Sequence, residues 1–330
     1  MKTVLIVTPF KNEVGGVEIV TSQLARMLES QSIHVDFLTL DEVSSQGAIT
    51  KFLSKIWGPP YLTAKKYRQM KTDHYDAVIC NGEYSLGINH KNAIVYFHGS
   101  YLGLRNSKKD LSFFHFATLS WRSWLQKKGS QGKKVVAVSR FLETILKDQG
   151  IKVNFIISNF VDPVQFFPMN VSKEQDFVFT GRFDEHAKGF DVLSKLSMNG
   201  LDITCYTDKS KPMSNLRFKP FIPNAELNSE LNRYKVFISA SRFESFGMGA
   251  AEALSAGLPI LIGPVGFGLE LQSEIPEFVV EDWSDVAVIK KRALDLLSNH
   301  EQYGKKAHAY ALKTFSAEAF MKKWLEVLNA

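Results

Sequence analysis

VFISASRFESFGMGAAEALSAGLPILIG, residues 236–263, holds a strand, a turn, a helix and a second strand in succession. Residues 236–239 and 260–262 are short apolar runs bounded by Ser, Gly and Pro, the pattern of buried strands, and the helix between them starts near Met248. Two strands joined through a helix run parallel, because the crossover returns the chain to the edge it left. The same alternation fills the rest of the sequence. Strands are expected at 4–7, 35–38, 77–80, 94–97, 135–138 and 155–157, then at 177–179, 203–206 and 278–280. After the first strand, Val17, Val20, Leu24, Met27 and Leu28 recur at three- and four-residue steps, which marks a helix with one apolar face. This order implies an α/β protein with parallel sheets covered on both faces. The expected architecture is two Rossmann-like, doubly wound parallel-sheet domains facing across a cleft. The first spans 1–165 and the second 166–314, the proline-containing segment 159–175 separating the two series. Phe315, Ala319, Phe320, Trp324 and Leu328 form one stripe, so 315–330 is expected to be a helix that packs back on the first domain.

With 330 residues, 45% of them hydrophobic, the chain can bury a sizeable core, which excludes a disordered segment or a small disulfide-stapled domain. Cys80 and Cys205 lie too far apart for a CxxC motif or a zinc-ligand spacing. The opening MKTVLIVTPF reads as a strand rather than a secretory signal. The longest weakly charged stretch, 246–269, holds six glycines and two prolines, poor material for a membrane-spanning helix. A cytoplasmic protein is expected. Charge is unevenly placed: residues 1–165 carry 21 Lys and Arg against 13 Asp and Glu, whereas residues 166–330 carry 19 against 21. The cationic first half points to an anionic partner.

In doubly wound sheets ligands bind beyond the carboxyl ends of the strands. There, Gly15 and Gly16 open the first helix, where small residues and unpaired N–H groups can meet an anion; the plain alternative is an ordinary strand-to-helix turn. FVFTGRFDEHAKGFDVL presents Arg182, His186 and Lys188 in the loop before a helix at Phe190, cations suited to a diphosphate unless they pair with Asp184 and Glu185. In the quoted stretch Glu244 and Glu252 flank GMG. Glu252, one turn into the helix, can face the same ligand as Glu244 and accept bonds from ribose hydroxyls, though acids at a helix start also favour the macrodipole. No Asp-x-Asp, GxSxG, GxxxxGK[ST] or GxGxxG pattern occurs, which argues against a metal-diphosphate clamp, an elbow-type serine hydrolase, a P-loop kinase and a dinucleotide dehydrogenase.

The ordered set GGVE, AVSRFLE, SNFVDPVQFFP, GRFDEHAKGF and ESFGMGAAEALSAGLPIL resembles glycosyltransferase family 4, the retaining nucleotide-sugar enzymes of GT-B fold. The resemblance implies that Arg182 and Lys188 bind the donor diphosphate, that Glu244 lies by the transferred sugar, and that Glu252 holds the ribose. Ser245, Phe246, Gly247 and Met248 line the donor between them. It places Gly15 and Gly16 near the donor phosphate and makes His98, in YFHGS, the histidine of the reaction centre; His34, His74 and His115 are read as ordinary histidines. The sequence departs from the family where DEHA separates Arg182 from Lys188 and where Phe160 replaces the hinge-side glycine.

The implied activity is a metal-independent, hexosyltransferase-type transfer, needing no cofactor, from a nucleotide-diphosphate sugar to a glycan or lipid-linked acceptor in bacterial surface polysaccharide or lipopolysaccharide synthesis. The alternatives are a nucleotide-sugar epimerase or hydrolase of the same fold and a non-catalytic nucleotide- or glycan-binding subunit. Two basic stretches, 50–71 with Phe52, Trp57, Tyr61 and Tyr67, and 111–134 with Phe113, Phe114, Phe116, Trp121 and Trp124, read either as core-facing helices or as an attachment to an anionic membrane surface on the inner face of the plasma membrane. Clustered aromatics without a recognisable RNA or DNA module argue against nucleic acid.

Overall fold

Val4, Leu5, Ile6 and Val7, four successive residues of strand β1 (Thr3–Val7), are all excluded from solvent. Side chains alternate between faces along a strand, so both faces of β1 are covered. In the computed structural model, which describes residues 2–10, 16–40, 58–209, 213 and 215–330, the chain divides into two compact units. Met1–Asn106, Asp110–Ile157 and Met321–Ala330 form the first, and Ser107–Lys109 with Ser158–Phe320 form the second.

The first unit contains a six-stranded parallel sheet in which β2 (His34–Leu38), β1, β3 (Ala77–Asn81), β4 (Ala93–Phe97), β5 (Lys134–Ala137) and β6 (Phe155–Ile156) lie side by side in that order. Val4 of β1 stands between Val35 of β2 and Ala77 of β3. The order of winding reverses between β1 and β3. At their carboxyl ends the Asn81 amide donates to Thr8 Oγ1 at 2.8 Å and to Thr21 Oγ1 at 2.9 Å, tying both strands to helix Gly16–Ser30. That helix buries Val20, Leu24 and Leu28 and keeps Glu18 in its first turn, where a carboxylate favours the helix dipole.

The second unit holds a five-stranded parallel sheet in the order β11 (Ile260–Ile262), β10 (Tyr234–Ser239), β7 (Gln175–Thr180), β8 (Ile203–Thr207) and β9 (Arg217–Pro220), reversing between β7 and β10. Its core is aromatic: the Phe190 ring lies 5.1 Å from Phe179, 4.7 Å from Phe183 and 5.8 Å from Phe218. In helix Ala317–Asn329 Phe320, Met321, Trp324, Val327 and Leu328 are buried. Residues 321–330 belong to the first unit, where Trp324 meets Tyr96 edge-on at 4.9 Å.

The structure alters several expectations. Segment 159–175, expected between the domains, lies wholly in the second unit, and the change of unit falls after Ile157. The strand expected at 278–280 is replaced by a 3₁₀ turn at Pro276–Phe278 and a single bridge from Ile262 to Val279, since the N–H groups of Phe278 and Val279 are taken by the Ile275 and Pro276 carbonyls within the turn and only that of Val280 bonds to Ile262. Strand β9 escapes the apolar-run criterion because RFKP is a short edge strand, mostly exposed, with a cation at two of its four positions and proline at its end. In stretch 50–71, residues 50–57 lie outside the described residues, while Tyr67 packs in the core and Tyr61 is half-buried. Helix Phe113–Ser130 is not core-facing through its aromatics: it buries Ser123, Leu125, Gln126, Gly129 and Ser130 and leaves the five aromatic rings outside.

Trp324 is fully buried, and truncation of a buried Trp leaves a large cavity. Trp324→Ala is expected to lower stability by about 3–5 kcal/mol, measured by urea unfolding followed by circular dichroism. A loss within measurement error would show that this helix adds nothing to the first unit's core.

Candidate active site

At the reversal between β7 and β10, two loops leave the sheet side by side and are fastened together. Arg242, after β10, forms two parallel bonds to Asp191, Nη1 to Oδ1 at 2.8 Å and Nη2 to Oδ2 at 2.9 Å, a geometry that fixes direction as well as distance. The Arg242 N–H donates to Ala187 O at 2.8 Å, and its guanidinium also reaches His186 O at 2.6 Å. Gly189 completes the fastening. Its φ is +70°, and a Cβ there would lie 2.1 Å from the Ala240 carbonyl oxygen, so no other residue lets the β7 loop approach β10 so closely.

The loop between Arg182 and Lys188 is shaped by its own acid. Asp184 accepts the Ala187 N–H at 2.9 Å through its side chain and the Lys188 N–H at 3.0 Å through its carbonyl, a local turn of the kind Asp favours. Lys188 then projects to Glu244, Nζ to Oε1 at 2.5 Å, with both side chains about a quarter exposed. Ser241 Oγ donates to the same carboxylate oxygen at 3.0 Å and shares a hydrogen bond of 2.9 Å with Ser239. These two serines, which motif reading missed, orient Glu244; the available signal was only their position at the end of a strand. Arg182 is exposed and, among the described residues, has no hydrogen-bond or ion-pair partner.

Helix Met248–Ser255 starts beside these groups. A Cβ on Gly249 would fall 2.7 Å from Thr180 Oγ1, so the helix start lies against the carboxyl end of β7, and the first N–H groups of a helix are unpaired within it. Phe246 is buried and its carbonyl accepts the Phe267 N–H at 3.0 Å, which joins the loop after β11 to the same cluster. Ser245, Gly247 and Met248 are half-buried between Glu244 and the helix. Glu252, half-buried in that helix, is pushed by burial from its ordinary value near 4.5 up to about 7.

The structure thus brings Lys188, Glu244, Ser245, Phe246, Gly247, Met248 and Glu252 to one end of the second sheet, with Arg182 after β7. His98 and Gly16 belong to the first unit, and Gly15 lies outside the described residues. Gly16 is the exposed first residue of its helix, and a Cβ there would meet nothing within 4 Å. His98 directly follows β4. Burial pushes it down to about 3, its Nε2 is buried without a hydrogen-bond partner, and its ring lies 4.0 Å from Tyr96. Among the described residues no group of three or more His, Cys, Asp or Glu is placed to hold a metal ion.

Comparison with known proteins agrees with this layout. The model for Glycosyltransferase Family 4 matches residues 14–165, and that for Glycosyl transferases group 1 matches residues 203–313, most of the chain between them. The chain is a glycosyltransferase family 4-like protein. Its fold is the two-domain GT-B fold. The sucrose-phosphate synthase of Thermosynechococcus elongatus superposes with a TM-score of 0.78 at 17% identity, over 100% of this chain and 98% of that one. HepE of Anabaena, solved with UDP-glucose, gives 0.70 at 14% identity over 100% of both chains. WaaG, a glycosyltransferase of lipopolysaccharide biosynthesis, gives 0.70 at 12% identity over 97% and 98%. At these identities the likeness is one of fold. A sequence search of curated proteins finds no match.

The raised pKa of Glu252 has a defined sign. In the unfolded chain this carboxyl ionises first, so its contribution to stability is complete below about pH 4.5 and is lost as pH rises through about 7. Glu252→Gln removes that loss. The variant is expected to gain on the wild type between pH 4.5 and 7, by up to about 3 kcal/mol, in thermal unfolding at a series of pH values. A difference in melting temperature that stays constant across this range would overturn the assignment.

Proposed function

We propose that this family 4-like glycosyltransferase moves a sugar, with retention of anomeric configuration, from a nucleotide-diphosphate sugar to a glycan or lipid-linked acceptor in surface polysaccharide or lipopolysaccharide synthesis. The observation that carries the reading is the fastening of Lys188 and Glu244 at the carboxyl ends of β7 and β10, beside a helix start and the exposed guanidinium of Arg182. A diphosphate needs more than one cation, and two side chains with a set of helix N–H groups meet that need without a divalent ion.

In this reading Arg182 and Lys188 hold the two phosphates, and Glu252 accepts bonds from the ribose hydroxyls. The hydroxyls favour its ionised form, so donor binding draws its raised pKa back down. The bond from the anomeric carbon to the diphosphate breaks, and the acceptor oxygen bonds to that carbon from the same face. The acceptor proton passes to the leaving phosphate oxygen. Negative charge grows on the diphosphate as this happens, and fixed cations stabilise it more in the transition state than in the ground state. Glu244 faces the transferred sugar. His98, neutral at pH 7 because of its burial, serves as an uncharged hydrogen-bonding group at the reaction centre. The HepE complex with UDP-glucose makes a UDP-sugar the first donor to test.

Lys188→Ala and Arg182→Ala are each expected to lower kcat by about 10²–10³-fold while weakening donor binding by less than about tenfold. Steady-state transfer rates and calorimetric titration of the donor separate the two effects. A thermal-shift panel of UDP-, GDP-, ADP- and dTDP-sugars selects the donor, because a ligand that binds only the folded state raises the melting temperature. Unchanged turnover in both variants would remove the diphosphate assignment, and rapid donor breakdown without acceptor would favour a hydrolase.

A further inference from the structure

The loops after β3 and β4 carry a polar cluster built wholly from the first unit. Glu83 stands two residues beyond β3, in the 3₁₀ turn Gly82–Ser85, and Tyr101 stands four residues beyond β4, at the start of helix Tyr101–Ser107. The Tyr101 hydroxyl donates to Glu83 Oε1 at 2.5 Å and accepts from Arg122 Nη1 at 3.0 Å. Arg122 reaches it from helix Phe113–Ser130, its guanidinium 5.2 Å from the centre of the Tyr101 ring. Burial, and then the Glu83 carboxylate, raise the pKa of Tyr101, so the phenol keeps its proton and stays a donor to Glu83. Carboxylate, phenol and guanidinium thus form a line with hydrogen-bond acceptors at one end and donors at the other.

Other contacts already hold these loops. Gln126 accepts from the Tyr101 N–H at 3.2 Å and donates to Gly99 O at 3.3 Å, while Gln149 accepts from Ser100 Oγ at 3.0 Å and donates to Ser123 O at 2.5 Å. The turn after β3 is packed as closely, since a Cβ on Gly129 would fall 2.5 Å from Ser85 Oγ. Outside this fastening, Glu83 and Tyr101 are half-buried and Arg122 is exposed. Among the described residues Glu83 Oε2 has no hydrogen-bond or ion-pair partner, and Arg122 spends an N–H on the Tyr101 oxygen without pairing with an acid. Open acceptor positions and open donors therefore lie side by side at the carboxyl ends of two neighbouring strands, where doubly wound sheets bind their ligands. His98, its Nε2 buried without a hydrogen-bond partner, opens the same β4 loop.

The chemistry of the line narrows what it can hold. An anion meets the Glu83 carboxylate, a cation meets the Arg122 guanidinium, and an apolar group leaves both without partners. Neighbouring hydroxyls satisfy both ends, because each hydroxyl can donate and accept. We propose that Glu83, Tyr101 and Arg122 form the subsite that reads a pair of adjacent hydroxyls on the acceptor sugar. Glu83 Oε2 accepts from one hydroxyl, Arg122 donates to its neighbour, and Tyr101 fixes the spacing between the two. The assignment rests on the function proposed above, which names no acceptor-binding residue, and commits the acceptor to a sugar ring with a free vicinal diol. A ring lacking one of these hydroxyls leaves the carboxylate or the guanidinium unpaired, which is how a site built for hydrogen bonds rejects an analogue.

Saturation-transfer NMR of the full chain with the methyl glycosides of glucose, galactose, mannose and N-acetylglucosamine tests the subsite, and calorimetric titration with UDP tests the donor site separately. The wild type is expected to transfer saturation to at least one glycoside, and UDP-glucose is expected not to displace it. Glu83→Gln and Arg122→Gln are each expected to weaken that glycoside about tenfold while binding UDP as the wild type does. Lys188→Ala is expected to do the reverse. The proposal is overturned if no glycoside receives saturation from the wild type, or if UDP-glucose displaces the one that does. It is equally overturned if Glu83→Gln and Arg122→Gln bind the glycoside unchanged, whatever their melting temperatures, because the line is then only a staple between loop and helix. A wild type that binds the glycoside but not UDP would leave the subsite standing and remove the donor assignment.

Discussion

The two-point contact between Arg242 and Asp191 fixes the chemistry of the second unit. Strands β7 and β10 are neighbours because of their apolar faces, but neighbouring strands alone leave the loops beyond them free to diverge. The guanidinium closes that freedom by spanning the β10 loop and the helix that follows the β7 loop, and Gly189 lets the backbones meet at Ala240. Lys188 and Glu244, 56 positions apart in sequence, then come within 2.5 Å. A guanidinium fork suits this task better than a lysine would, since two parallel bonds fix an angle.

Around that clamp the charges are graded by burial. Arg182 stands in solvent, Lys188 and Glu244 are half-covered and share a bond, and Glu252 is covered enough to hold its proton near neutral pH. In the first unit His98 moves the opposite way, because burial disfavours the charged form of any group: it raises a carboxylic acid and lowers an imidazolium. Groups poised in this manner gather at ligand sites, where a bound polar molecule replaces the water they have lost.

Much of the fold could be read from residue order. Short apolar runs such as ILI at Ile260–Ile262 leave little room for another assignment, and the helix starts at Met248 and Phe190 fall where glycine precedes them. The misreadings have local causes. RFKP in β9 lacks the apolar signature because an edge strand with a solvated face does not need one, and residues 278–280 have that signature without a ladder because Pro276 turns the chain first. The site was legible as a set of residue types, but not as a pairing. Nothing in GRFDEHAKGF or SRFESFG shows that Arg242 clamps Asp191, or that Ser241 orients Glu244.

Sequence alone determined the α/β alternation, the family resemblance and the residues able to meet a diphosphate, since periodicity and motif spacing are properties of the chain itself. Tertiary structure decided which cation neutralises which acid, how far Glu252 and His98 depart from their ordinary protonation, and which side of helix Phe113–Ser130 faces water. The physical reason is the same in each case. Burial and pairing depend on atoms brought together from distant parts of the chain, and an amphipathic pattern shows that a helix has two faces without saying which one the protein covers.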